Sequence, residues 1–223
     1  MTESSNKAHA SCIVIPDAEN TYPLDQFAVP QHYKDDLNSV MIPNGLILNR
    51  LEKLAQDIVE DIHAPLVVLC VLKGGHQVFS DLVNFIKQLN TRAGRSLPLS
   101  LEFIRMKSYH NDQSSGKVEI IGMNMSNLKG KHVLVVEDIV DTGRSLVKLC
   151  NTLNEQGPET LRTFSLLLKR TPHSNGFQPD YVGFEIPDEF VVGYCLDYNE
   201  YFRDLDHICI ISPVGREKYK EAA

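Results

Sequence analysis

Two hydrophobic periods alternate along the chain. From Leu46 the apolar positions Leu46, Ile47, Leu51, Leu54, Ala55, Ile58, Val59 and Ile62 recur at the spacing of one helix face. Leu66 to Leu72 (LVVLCVL) is then an unbroken apolar run rich in β-branched residues, which suits a strand buried on both faces. Val78, Phe79, Leu82, Val83, Ile86 and Leu89 return to the helical spacing, and LSLEFIRM and HVLVVE read as strands. Leu146, Val147, Leu149, Cys150 and Leu153 predict a further helix, and TFSLLLK a further buried strand. Strand and helix in turn predict an α/β fold with a central, mainly parallel sheet flanked by helices and a ligand site at the carboxyl ends of the strands.

The flanks differ from this core. Residues 1–10 are polar and rich in Ser and Asn, and are expected to be disordered. A short strand is expected near Ile13 to Ile15, and the Pro-punctuated stretch from Pro16 to Pro43 reads as irregular. After Pro179 the pattern changes to short strands (DYVGFEI, FVVGYCL, HICII) without helices between them. The expectation is one domain over residues 11–223, its core at about 40–180 and a small cap built from about 11–39 and 181–217.

Composition narrows the function classes. A chain of 223 residues with 43% hydrophobic content can bury a sizeable single core. A net charge of -7 argues against a nucleic-acid binder, so any polyanionic ligand must meet a local basic site. The five cysteines are odd in number, widely spaced and free of CxxC, and read as reduced core thiols without a metal or redox role. The start MTESSNKAHA has no apolar signal region, and no run reaches the roughly 18 apolar residues of a membrane span. The expected setting is the cytoplasm, without membrane contact.

The segment from Val133 to Leu146, VLVVEDIVDTGRSL, carries the chemistry. An apolar strand runs into three carboxylates, Glu137, Asp138 and Asp141, and then into Thr142, Gly143, Arg144 and Ser145 at the start of a helix. Adjacent anions raise each other's pKa unless hydroxyl donors or a cation share them, and a ribose diol or a hydrated magnesium ion would serve. The amides and hydroxyls at the helix start form a phosphate cradle.

This string, together with VLCVLKGG, RMKSYHNDQSSG, LLLKRTP and EFVVGYCLDYNEYFRDL, closely resembles the purine phosphoribosyltransferase family of the animal hypoxanthine-guanine type, over about residues 11 to 217. The resemblance implies a type I phosphoribosyltransferase fold with a hood subdomain. It implies purine salvage: hypoxanthine or guanine and 5-phosphoribosyl 1-pyrophosphate become IMP or GMP and pyrophosphate, in a homodimer or homotetramer with Mg2+ as cofactor. Under it, Glu137 and Asp138 hold the ribose hydroxyls, and Asp141, Thr142, Gly143, Arg144 and Ser145 hold the 5′-phosphate. Asp141 also acts as acid and base at purine N7. Lys73, Gly74 and Arg203 bind pyrophosphate, with a cis peptide expected before Lys73, while Ser108 and Tyr109 belong to a mobile loop that closes over the site. Lys169 donates to the purine 6-oxo group, Phe190 stacks on the ring, Ile139 packs on its opposite side and the Val191 backbone reads its far edge. Asp197 lies in the same base segment and is a magnesium ligand, with Glu137 and Asp138 reaching metal through the ribose or water.

Two positions depart from the family pattern. Glu189 stands where relatives often carry lysine, and Arg144-Ser145 replaces the more usual Lys-Thr. A regulatory homologue that binds phosphoribosyl pyrophosphate with little or no catalysis is the alternative, and the joint presence of Asp141, Lys169 and Phe190 speaks against it. A dinucleotide-binding oxidoreductase is excluded because LKGGHQ does not supply GxGxxG.

Overall fold

A computed structural model describes residues 12–17, 21–107 and 119–220. Residues 1–10, expected to be disordered, lie outside them. In chain order the elements are β1 (Ile13–Val14), β2 (Leu37–Ile42), α1 (Asn44–Asp61), β3 (Leu66–Leu72), α2 (Gly75–Arg92), β4 (Leu99–Lys107) and β5 (Glu119–Ile121). They continue as β6 (His132–Val140), α3 (Arg144–Asn154), β7 (Thr160–Lys169), β8 (Tyr181–Ile186), β9 (Val191–Val192), β10 (Ile208–Ile211) and α4 (Pro213–Lys218).

The main sheet has seven strands in the order β1-β8-β7-β6-β3-β4-β5, all parallel except the β4–β5 pair. Strand β3 and the first part of β6 are apolar without alternation because both of their faces are covered. Leu66, Val68 and Cys70 of β3, with Leu134 and Val136 of β6, pack against α1 and α2. Val67, Leu69 and Val71, with Val133 and Val135, pack instead against Leu146, Leu149, Cys150 and Leu153 of α3.

A second sheet of three strands, β2-β10-β9, is antiparallel. It buries Val40, Val192, Cys209 and Ile211 with Tyr33, Phe202 and Leu205. Val191, Tyr194, Leu196 and Ile208 join the cluster under α1 and α2, so the small sheet is seated on the main one.

Three expectations need correction. DYVGFEI is not cap: as β8 it pairs with β7 and carries β1 beside it, because Tyr181, Phe184 and Ile186 fill one side of the main sheet and Val182 the other. Within the stretch read as irregular, Leu37–Ile42 is a strand whose Asn38 and Ser39 interrupt the apolar signal. Finally, β6 does not end before the acids but runs on to Val140, paired with β7 through Val140 and Leu168.

Candidate active site

The chain leaves β3 toward β4 and leaves β6 toward β7, so the sheet reverses its winding between β3 and β6. Such a switch point opens a crevice at the carboxyl ends of the two strands. Leu72, Lys73 and Gly74 form one lip and the segment from Glu137 to Ser145 the other. The Leu72–Lys73 peptide is cis, as the resemblance implied. Gly74 is required by proximity: a Cβ there would overlap the Asp138 carboxylate.

At Glu137 and Asp138 the inward-outward alternation of β6 slips by one. Val136 faces α1 and α2, yet so does Ile139, and Val140 faces α3. Strand β7 slips in step, with Leu166 and Leu167 both on the α1–α2 side and Ser165 donating to the Leu167 carbonyl at 2.7 Å. This irregularity is what lets two consecutive side chains share a site. Their charges act on each other, and Asp138 Oδ1 accepts from the Ile139 amide at 2.7 Å. Burial, then the charge of Asp138, hold Glu137 well above the usual carboxyl range. Burial raises Asp138 as well, opposed by the Ile139 amide and, more weakly, by Arg203.

Past β6, Gly143 takes a left-handed backbone at φ 77° and starts α3. A side chain there would also strike Asn175, whose amide donates to the Thr142 carbonyl at 3.0 Å. The N-cap residue Gly143 has no side chain to cap α3, and the Arg144 amide meets Thr142 Oγ1 only at 3.5 Å, so this end suits an anionic ligand. Thr142 is half-buried, and Arg144 and Ser145 are exposed around that end. Asp141 is on the same loop, and Lys169, the last residue of β7, reaches it at 3.6 Å.

The other lip carries a charged network. Lys73 Nζ lies 2.6 Å from Glu200 Oε1, and Arg203 reaches Glu200 Oε2 at 3.1 Å and Asp197 Oδ1 at 2.9 Å. Arg203 also donates to the Cys195 carbonyl at 2.7 Å, and Cys195 Sγ stands 3.5 Å from the Lys73 carbonyl. Lys73, Gly74, Asp138, Asp197 and Arg203 are therefore one neighbourhood. Glu200 escaped the sequence reading, though its spacing of three from Arg203 was a usable signal. Both cations lower its pKa, the Lys73 hydrogen bond first.

Phe190 directly precedes β9, which Val191 opens. Val191 is buried in the same cluster as Ile139 and Leu72, whereas Phe190 is 37% exposed, edge-on to Tyr198 and under the Arg216 guanidinium at 4.9 Å. Glu189 is exposed beside it. Ser108 and Tyr109 lie outside the described residues. Among the described residues no three His, Cys, Asp or Glu side chains converge as a metal cage.

Comparison with known proteins agrees with this geometry. Residues 42–199 match the phosphoribosyl transferase domain. The hypoxanthine-guanine phosphoribosyltransferases of Sus scrofa and Homo sapiens are each 53% identical to this chain over 210 residues, which cover 93% of this chain and 96% of theirs. The crystal structure of the Schistosoma mansoni hypoxanthine-guanine phosphoribosyltransferase in complex with IMP superposes with a TM-score of 0.79 at 40% identity, over 94% of this chain and 100% of that one. The crevice at the β3–β6 switch point, the uncapped helix end beyond it and these relationships lead to one conclusion: the chain belongs to the hypoxanthine-guanine phosphoribosyltransferase family.

Proposed function

We infer that this chain is a purine-salvage transferase that joins hypoxanthine or guanine to 5-phosphoribosyl 1-pyrophosphate, releasing IMP or GMP and pyrophosphate. The observation that carries the reading is the pairing of Asp141 with Lys169 at the mouth of the uncapped α3 terminus. That arrangement sets an acid-base group and a fixed donor beside a phosphate cradle.

The roles follow from charge. The 5′-phosphate sits on the first-turn amides of α3 with Thr142, Arg144 and Ser145 around it. The ribose diol donates to Glu137 and Asp138, which relieves the repulsion between the two buried carboxyls. Lys169 donates to the 6-oxo oxygen of the purine, and an adenine amino group would leave its ammonium unpaired. Phe190 stacks on the ring, Ile139 packs on the other side and Val191 presents its backbone to the far edge.

As the bond from C1 to the pyrophosphate oxygen breaks, its electron pair leaves with pyrophosphate and a purine nitrogen bonds to C1. Asp141 takes the proton given up at N7 and returns it in the reverse direction. Lys73 and Arg203 stabilise the charge growing on the leaving group, and closure of the Ser108–Tyr109 loop keeps water from C1.

The donors fit a Mg2+ cofactor. Magnesium uses one or two carboxylates together with substrate phosphates and keeps several waters, so no all-protein cage is needed. Asp197 would hold it beside the pyrophosphate, and the Glu137–Asp138 pair would reach it through the ribose or water. When bound, it supplies positive charge to the phosphates and lowers the barrier to their departure.

The expected assembly is a homodimer or homotetramer. Leu101 and Phe103 of β4 are 38% and 39% exposed beside Phe79 of α2, an apolar strip that suits a second copy. The cytoplasm is the expected compartment: Cys12, Cys70, Cys150, Cys195 and Cys209 are all free, and no described helix is long and apolar enough to cross a membrane. A steady-state assay with hypoxanthine, guanine, xanthine and adenine tests the activity. Turnover of the first two with adenine refused is expected, and turnover of adenine alone would overturn the reading.

A further inference from the structure

The segment that carries Asp197, Glu200 and Arg203 has an unfavourable backbone. Tyr194, Cys195, Asn199, Glu200 and Phe202 take φ values of 51°, 74°, 50°, 69° and 71°, in the left-handed region that side chains with a Cβ disfavour. Local propensity alone would not keep this path. Something outside the loop must fix it.

Tyr219, just after α4, grips three of its residues at once. The Tyr219 carbonyl accepts from Asn199 Nδ2 at 2.8 Å. Its ring lies 4.4 Å from that of Tyr201 and 4.9 Å from that of Phe202, centroid to centroid. Its hydroxyl donates to Asp36 Oδ2 at 2.9 Å, and Lys218 Nζ meets the same oxygen at 2.7 Å. Asp36 is 1% exposed, so the anchor is a buried anion with specific donors rather than a surface contact. Tyr33 completes the frame from below, accepting from the Phe202 amide at 3.2 Å and donating to Asp204 at 3.1 Å.

We propose that Tyr219, docked on Asp36, is a positioning residue for the pyrophosphate end of the site, holding the 197–203 loop so that Asp197 and Arg203 face Lys73 and Asp138. The proposal rests on the reading of Lys73, Arg203 and Asp197 given above. Tyr219 touches none of the reacting groups. It acts through the loop, so its removal separates the two substrates: the purine side keeps Lys169 on β7 and Val191 on β9, and loses only part of the Tyr198 edge contact on Phe190.

The test compares Tyr219→Ala, Tyr219→Phe and Asn199→Gly in the full chain. Tyr219→Ala should raise KM for phosphoribosyl pyrophosphate and the magnesium concentration for half-activity by roughly tenfold or more, with KM for hypoxanthine changed less than about twofold. Tyr219→Phe keeps the ring contacts but loses the hydroxyl bond to Asp36, and should fall between wild type and the alanine variant. Asn199→Gly keeps the left-handed backbone but drops the bond to Tyr219, and should show the same selective rise at smaller size; it carries the test if the alanine variant does not fold. An inactive wild type would overturn the functional reading and this proposal together. An active wild type whose variants lose both substrates equally, or neither, would overturn the positioning role alone.

Discussion

Lys169 Nζ stands 3.6 Å from Asp141 Oδ2, joining the last residue of β7 to the loop that follows β6. The two strands are parallel and adjacent, with Val140 opposite Leu168, so their carboxyl ends deliver both charges to one place. The lysine side chain is 11% exposed and the carboxylate 54%. The sheet therefore fixes the cation, while the anion faces the open crevice. A planar base whose oxo group and titrating nitrogen lie side by side on one edge suits that arrangement.

Lys169→Gln should weaken use of 6-oxopurines by about 1.5–3 kcal/mol, the range for one hydrogen bond to a charged group. Affinity for phosphoribosyl pyrophosphate should change far less, because the proposed function puts Lys169 at the base. Steady-state KM values for both substrates check this, and equal losses would place the lysine in the other half of the site.

The Glu137–Asp138 pair links function to pH-dependent stability. Burial raises both groups in the folded chain, so the contribution they make is fully present below their unfolded pKa values and is lost as pH rises through the folded ones. Glu137→Gln removes one charge from the buried pair. The ligand-free variant should melt above wild type at pH 8 and gain less, or nothing, at pH 4.5, with about 2–4 °C expected for each kcal/mol in a chain of this size. Thermal melts at the two pH values check the sign, and a gain confined to pH 4.5 would contradict it. The same variant should bind nucleotide less well.

Gly74→Ala should abolish phosphoribosyl-pyrophosphate binding while leaving a folded protein. The new methyl would overlap the Asp138 carboxylate, so the acid or the turn must move. Titration calorimetry with phosphoribosyl pyrophosphate checks the loss, and wild-type affinity would show that the turn has slack.

Much of this was legible in the chain. The runs LVVLCVL and HVLVVE read as doubly buried strands because their apolar character does not alternate, and the folded sheet covers them on both sides. The same signal was present in DYVGFEI, but the absence of helices around it suggested a cap. Periodicity reports burial without saying which sheet supplies it. The strand Leu37–Ile42 was hidden because Asn38 and Ser39 break its apolar run, while Leu37 and Val40 are buried in the small-sheet cluster and Met41 and Ile42 in the main one. The slip in β6 at Glu137 was also invisible, since it depends on a matching irregularity in β7. Gly143 was legible from local chemistry, whereas Lys169 entered through the family resemblance. Glu200 and Tyr219 were not found, because their partners Lys73 and Asp36 are far away in sequence.

Activity should require magnesium. Asp197 now answers Arg203 at 2.9 Å, and pyrophosphate arriving at that arginine adds negative charge that needs a counter-ion. Excess chelator should stop turnover and added Mg2+ restore it, and Asp197→Asn should raise the magnesium concentration for half-activity. Undiminished turnover in chelator would contradict the assignment.

The central claim is that the three acids of VLVVEDIVDTGRS divide their labour, with Asp141 handling the proton at N7. Single-turnover kinetics on Asp141→Asn, with nucleotide affinity measured separately, tests it most directly. The account predicts nucleotide binding as tight as wild type or tighter, since a negative charge beside the 5′-phosphate is removed. It predicts a chemical step slower by roughly 10²–10⁴-fold. A variant that keeps the wild-type chemical rate would reduce Asp141 to a loop residue and contradict the account.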